Sequence, residues 1–187
     1  MQNNQTNQHV NPKSDRYLAA FLWVIFGILG RLIPHPPNMT PLTAISLFGG
    51  SQLSRKQAFA FTFLMIVISD ILLALAHGYP VFGLWSLFTY SGFAMIILAG
   101  TFLRTIPTAG RTLAMLLGSS VGFWLWTNFG VWIVGGHAYG AGFTGLVNCY
   151  VAAIPFLGNA LVGDLAWGLA LFVSFHFVRK MAPKYGF

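Results

Sequence analysis

The chain has 187 residues, of which 56% are hydrophobic and 7% charged, with a mean hydropathy of +0.70. A soluble domain carries about 25% charged residues, so the composition excludes an ordinary soluble enzyme, a disordered protein and a nucleic-acid-binding module. Ten Lys/Arg against three acids give a net charge of +7. These cations fall in short clusters between apolar runs, the pattern that orients membrane helices. The expectation is a single all-α membrane protein of about six spans.

Residues 1–16 are polar, rich in Gln and Asn, and read as a disordered tail. The first apolar run covers 17–33 and has no small-residue cleavage site before Arg31, so it reads as an uncleaved first helix. Pro34, Pro36 and Pro37 cannot continue it, because each fixes φ and lacks an N–H. A stiff, extended connector is expected there. A short apolar run, 41–53, ends at Ser54-Arg55-Lys56. Spans are expected over 57–76, 84–103, 112–134 and 160–178, with basic loops around Arg104–Arg111 and a basic close at Arg179, Lys180 and Lys184. The glycine-rich stretch 135–159 is expected to be a connection of intermediate polarity. One six-helix domain over 17–180 results, followed by a short basic tail, 181–187.

Charge weighs the topology. With six spans and both termini in the cytoplasm, nine of the ten basic residues lie inside and only Arg31 lies outside. If 41–53 is re-entrant, the better five-span orientation leaves eight inside. The positive-inside rule favours six, in a bacterial plasma membrane, and a short run can still span where the bilayer thins.

Ionisable groups within apolar runs are expensive and mark functional sites. In the six-span arrangement they gather toward the outer face. Arg31 ends span 1, His35 and Asn38 follow in the connector, and Asp70 lies below the end of span 3. His77, Asn128, His137 and Tyr139 come next, and Asn159 and Asp164 open the last span. That asymmetry fits a pocket open to the outside better than an ion path, which needs polar groups at every depth. Trp132, Tyr139 and Tyr150 would wall it.

Blander readings stand beside these. Asp70 and Asp164 would pair with Arg31 to knit helices together. Asn128 would serve as interhelical glue, His35 as a local cap, and Trp126 and Trp132 as interface-belt residues. Cys149, the one cysteine, reads as a small buried apolar residue, or less directly as a soft metal ligand. The five histidines show no metal-ligand spacing, and no P-loop, nucleotide or hydrolase motif is present. No cofactor is expected. Gly118, Gly122 and the Gly49-Gly50 pair are expected to let helices pack closely.

The run 31–41, RLIPHPPNMTP, with Leu47-Phe48-Gly49-Gly50, Thr127-Asn128-Phe129-Gly130, the stretch around Cys149-Tyr150 and the LVGDL of 161–165 resemble a bacterial family of uncharacterised small membrane proteins. That family is similar to the substrate-binding S components of energy-coupling factor (ECF) vitamin transporters. The resemblance implies an outer pocket for a micronutrient, with lids after spans 1, 3 and 5. It also implies docking on a transmembrane subunit with two ATPases. The first helix lacks a clean Ala-x-x-x-Ala docking face, offering Ala19, Ala20, Gly27 and Gly30 at other spacings. The expected function is binding and uptake of a small water-soluble, vitamin-like molecule. The alternatives are a ligand-free cell-envelope scaffold, or a small intramembrane enzyme using His35 with Asp70 or Asp164 as acid and base.

Overall fold

A computed structural model of the chain describes residues 12–105, 108–136 and 138–185; side chains over 12–21 and 178–185 lie outside that description. Among the described residues there are six helices and no strand: α1 Pro12–Leu32, α2 Leu42–Gln52, α3 Arg55–His77, α4 Leu84–Thr101, α5 Ala109–Val134 and α6 Gly142–Tyr185. Three stretches are long and apolar enough to cross a membrane, namely α3, α4 and Gly142–Phe177 of α6. The chain is a helical membrane protein by this measure.

The helix ends follow from local chemistry. Ser54 caps α3 in a reciprocal box, accepting from the Gln57 N–H while the Gln57 side chain accepts from the Ser54 N–H. Gly78 ends α3 at φ 73°, donating to the Ala74 carbonyl. Thr108 caps α5. The proline connector turns rather than running extended throughout. The Met39 N–H donates to the Pro36 carbonyl at 3.1 Å with Asn38 at φ 66°, a type II turn with proline in its second place.

Helices α2, α4 and α6 run one way, and α1, α3 and α5 the other. Pro41 meets Gly30, and Trp23 meets Gly49, which sets α1 antiparallel to α2. Gly92 and Gly130 receive Phe123 and Phe88 across the α4–α5 pair. The short helix α2 sits at the centre. Nine of its eleven residues are buried, and helices apolar all round belong inside. Leu42, Ala44, Ile45 and Leu47 join Met65, Ile66, Phe93, Ile96 and Leu116 in the core. At 11 residues α2 is about 16 Å long, half the depth of a bilayer's hydrocarbon.

Three expectations change. The glycine-rich stretch becomes helix from Gly142 onward, so α6 is one helix of 44 residues, about 66 Å. Gly140 and Gly142, at φ 97° and 64°, make the turn into it. It also continues through the expected basic tail as far as Tyr185. The polar tail expected over 1–16 lies outside the description as far as residue 11, and α1 begins at Pro12.

Candidate functional site

Two polar clusters and one cavity stand out. The first cluster joins α1, α3 and α4. Arg31 Nη1 lies 2.5 Å from Asp70 Oδ1 and donates to Ser69 Oγ at 2.7 Å. The Tyr90 hydroxyl donates to Asp70 Oδ2 at 2.6 Å. Both charges are largely buried, at 19% and 6% side-chain exposure, and the carboxylate has a partner on each oxygen. The expected pairing of Arg31 with Asp70 is present. Asp164 does not share it.

The second cluster joins α2, α5 and α6. The Ser120 hydroxyl donates to Asp164 Oδ2 at 2.6 Å, and the Thr43 side chain lies beside the same carboxyl. Asp164 is 2% exposed. Its described polar neighbours are hydroxyls, not a cation, and Thr43 stands in the first turn of α2. Met39 packs on Gly163 beside it.

The other residues singled out by sequence are dispersed. His35 sets its two ring nitrogens 2.9 Å from the Pro36 carbonyl and 3.3 Å from the Arg31 carbonyl, so its described bonds involve neither acid. Asn38 is the turn residue. His77 bonds the Leu73 carbonyl at the exposed end of α3 and stacks on Tyr79. Asn128 donates to the Trp124 carbonyl of its own helix. Trp132 packs on Phe129. The Tyr139 carbonyl accepts from Asn148, Asn159 is half-buried on α6, and His137 lies outside the described residues. Cys149 is buried, with its thiol on the Asn128 backbone carbonyl at 3.5 Å. Among the described residues no group of three or more His, Cys, Asp or Glu could hold a metal ion.

The cavity lies elsewhere. About 650 Å³ opens between α4 and α5, with Tyr150 of α6 at its edge. Phe123, Trp126, Phe129 and Tyr150 supply its rings, and Met95 and Met115 its flexible walls. The space exists because side chains are missing: nothing lies within 4 Å of where a Cβ would stand on Gly118 or Gly122. These two glycines, expected to pack helices together, instead face open volume. Gly49 and Gly50 do pack closely, against Trp23 and the α4 backbone.

Three α5–α6 contacts lie close to the cavity. Ser120 meets Asp164, the Trp124 indole donates to the Ala153 carbonyl at 2.9 Å, and the Tyr150 hydroxyl donates to the Leu125 carbonyl at 2.9 Å. Between Ser120 and Trp124 α5 makes about one turn, whereas α6 makes about three between Asp164 and Ala153. The two helices therefore do not meet residue for residue along that stretch, which contains Pro155, a residue with no N–H to donate.

Sequence reasoning gave no site role to Tyr90, Ser69, Ser120, Thr43, Arg104 or Ser119. One signal was available for Tyr90. Antiparallel neighbours bring residues equidistant from their connection side by side, and Asp70 and Tyr90 stand so about the α3–α4 turn.

A family model described as a family of unknown function (DUF6580) matches residues 11–185, so the chain belongs to that family. No curated protein and no solved structure matches it. The likeness to vitamin-transporter S components therefore rests on the motifs quoted from the sequence.

Proposed function

We propose that this DUF6580 member is a membrane-embedded binding protein for the uptake of a small, vitamin-like molecule, and that the cavity between α4, α5 and α6 holds that molecule's ring body. The observation that carries the reading is a volume of about 650 Å³ walled by four aromatic residues, the size and chemistry of a small-molecule pocket. The outer polar crown expected from sequence supports the reading less. Arg31, Asp70 and Tyr90 close on one another, and Asn128 and Asp164 turn to other partners. A ligand of largely apolar body fits better than a highly hydrophilic one.

The chain is read as crossing a bacterial plasma membrane with both termini inside. The alternating helix directions and the one-sided distribution of Lys and Arg support this. An N-terminal tag accessible from outside intact cells would refute that arrangement. ECF-type transmembrane and ATPase partners remain part of the proposal on the motifs alone.

Gly122→Leu tests the site. The added side chain enters open space, so folding should survive. The purified protein is screened by thermal shift against water-soluble vitamins and lipid-soluble ring compounds. A ligand at 100 times its dissociation constant adds about 2.7 kcal/mol. The expected result is a shift with at least one compound in the wild type and none in Gly122→Leu. No shift with any compound would favour the scaffold reading, which the mutual satisfaction of both polar clusters also supports.

A further inference from the structure

One polar atom in the cavity has no partner. Ser119 is 9% exposed, lines the cavity, and makes no hydrogen bond to any described residue. Its neighbour Ser120 spends its proton on Asp164. Serines on a helix commonly donate back to the carbonyl four residues earlier. Ser46, Ser91 and Ser120 all have that carbonyl within reach, and Ser119 does not use its own. The Ser119 hydroxyl oxygen is accessible rather than sealed in the interior, so a ligand in the cavity can reach it.

We propose that the ligand is a neutral, lipid-soluble aromatic ring compound with a ring carbonyl, held with that carbonyl accepting from the Ser119 hydroxyl. This rests on the reading of the cavity as the binding site and names the class of molecule. Three observations select the class. No charged residue borders the cavity, so an ionised ligand would be left uncompensated. Four rings and two methionine thioethers stand in the walls beside aliphatic Ile96, Ala99 and Leu125, and those rings and thioethers make favourable contacts with a flat π-system. Among the described lining residues the one side-chain polar group without a partner is a hydroxyl, and a ring carbonyl is a neutral group that can take its proton. The cavity opens between apolar helices and admits the compound from the bilayer.

Menadione, a naphthoquinone, and 2-methylnaphthalene, the same ring system without carbonyls, are the probes. Their affinities for the full chain in detergent are measured by equilibrium dialysis, with oleate as competitor. Ser119→Ala is expected to weaken menadione about tenfold, one hydrogen bond's worth, and to leave 2-methylnaphthalene unchanged. Ser119→Thr restores menadione, and Gly122→Leu weakens both probes. Equal menadione affinity in wild type and Ser119→Ala overturns the proposal, as does displacement of menadione by stoichiometric oleate. If menadione fails to bind while Gly122→Leu still abolishes the thermal shift of another compound, the ligand class is wrong and the binding site stands.

Discussion

Gly50→Ala is expected to unfold or severely weaken the protein, although it adds one methyl group. An added Cβ would overlap the Ile97 carbonyl oxygen and stand 3.0 Å from the Gly100 Cα. Both neighbours are backbone of α4, so no side chain can swing aside. Ordinary overpacking costs about 1–3 kcal/mol through side-chain adjustment. With a helix backbone as the obstacle the loss should reach at least about 3 kcal/mol. Gly118→Ala and Gly122→Ala make the same chemical change on α5 where nothing lies within 4 Å. They should be neutral, or gain up to about 1 kcal/mol from helix propensity. Denaturation of the purified variants in mixed detergent gives the comparison. If Gly50→Ala matches Gly122→Ala, α2 and α4 do not touch backbone to backbone.

The contact matters because of what α2 needs. A short helix buried in a bundle leaves orphan N–H groups at one end and orphan carbonyls at the other, and no water to satisfy them. The Arg104 Nε donates to the Gly50 carbonyl at 2.8 Å, and its Nη2 donates to the Leu53 carbonyl. At the other end, α2 has no acid in its first turn and no side-chain cap on Pro41. The Asp164 carboxyl reaches Thr43 from α6 instead. A guanidinium thus stands at the negative end of the helix dipole, the favourable sign, and a carboxyl faces the other end. This gives Asp164 a structural occupation that the Ser120 hydroxyl holds in place.

That arrangement marks where sequence reading ran out. The order of the six helices was legible because each apolar run is bounded by prolines, glycines or basic pairs, and α2 through α5 fall within a few residues of the expected limits. Arg31 and Asp70 were legible because an acid and a base in apolar runs of similar depth have few other partners. The rest depends on register between helices. Asp164 could not be assigned to Ser120 and Thr43 without knowing which faces of α2, α5 and α6 meet. The cavity is made of absent side chains, and Gly118 and Gly122 read the same whether a neighbour fills the space beside them or not. The early start of α6 was hidden by Gly145, Asn148, Pro155 and Gly158, which lower helix propensity. In an apolar setting a helix is still the conformation that satisfies each backbone group within its own segment.

The Arg31–Asp70 pair carries the other large expected effect, and it separates the two roles that sequence assigned to these residues. Removing one member of a buried pair strands the other charge. Asp70→Ala should therefore cost about 3–5 kcal/mol, and Arg31→Ala a similar amount. Asp70→Asn keeps an acceptor for the Tyr90 hydroxyl yet still leaves Arg31 without a counter-ion, so it should fall between Asp70→Ala and the wild type. The double variant Arg31→Leu with Asp70→Leu removes both charges and fills the site with apolar volume. It should recover most of the stability, because replacing a buried pair whole is often neutral or better. A loss below about 1 kcal/mol for Asp70→Ala would mean that the pair behaves as a solvent-exposed one. The double variant then decides function. If the network only fastens α1 to α3 and α4, a ligand that shifts the wild type through the cavity shifts the double variant equally. If Arg31 and Asp70 contact the ligand, as an outer polar pocket requires, the double variant folds and the shift disappears.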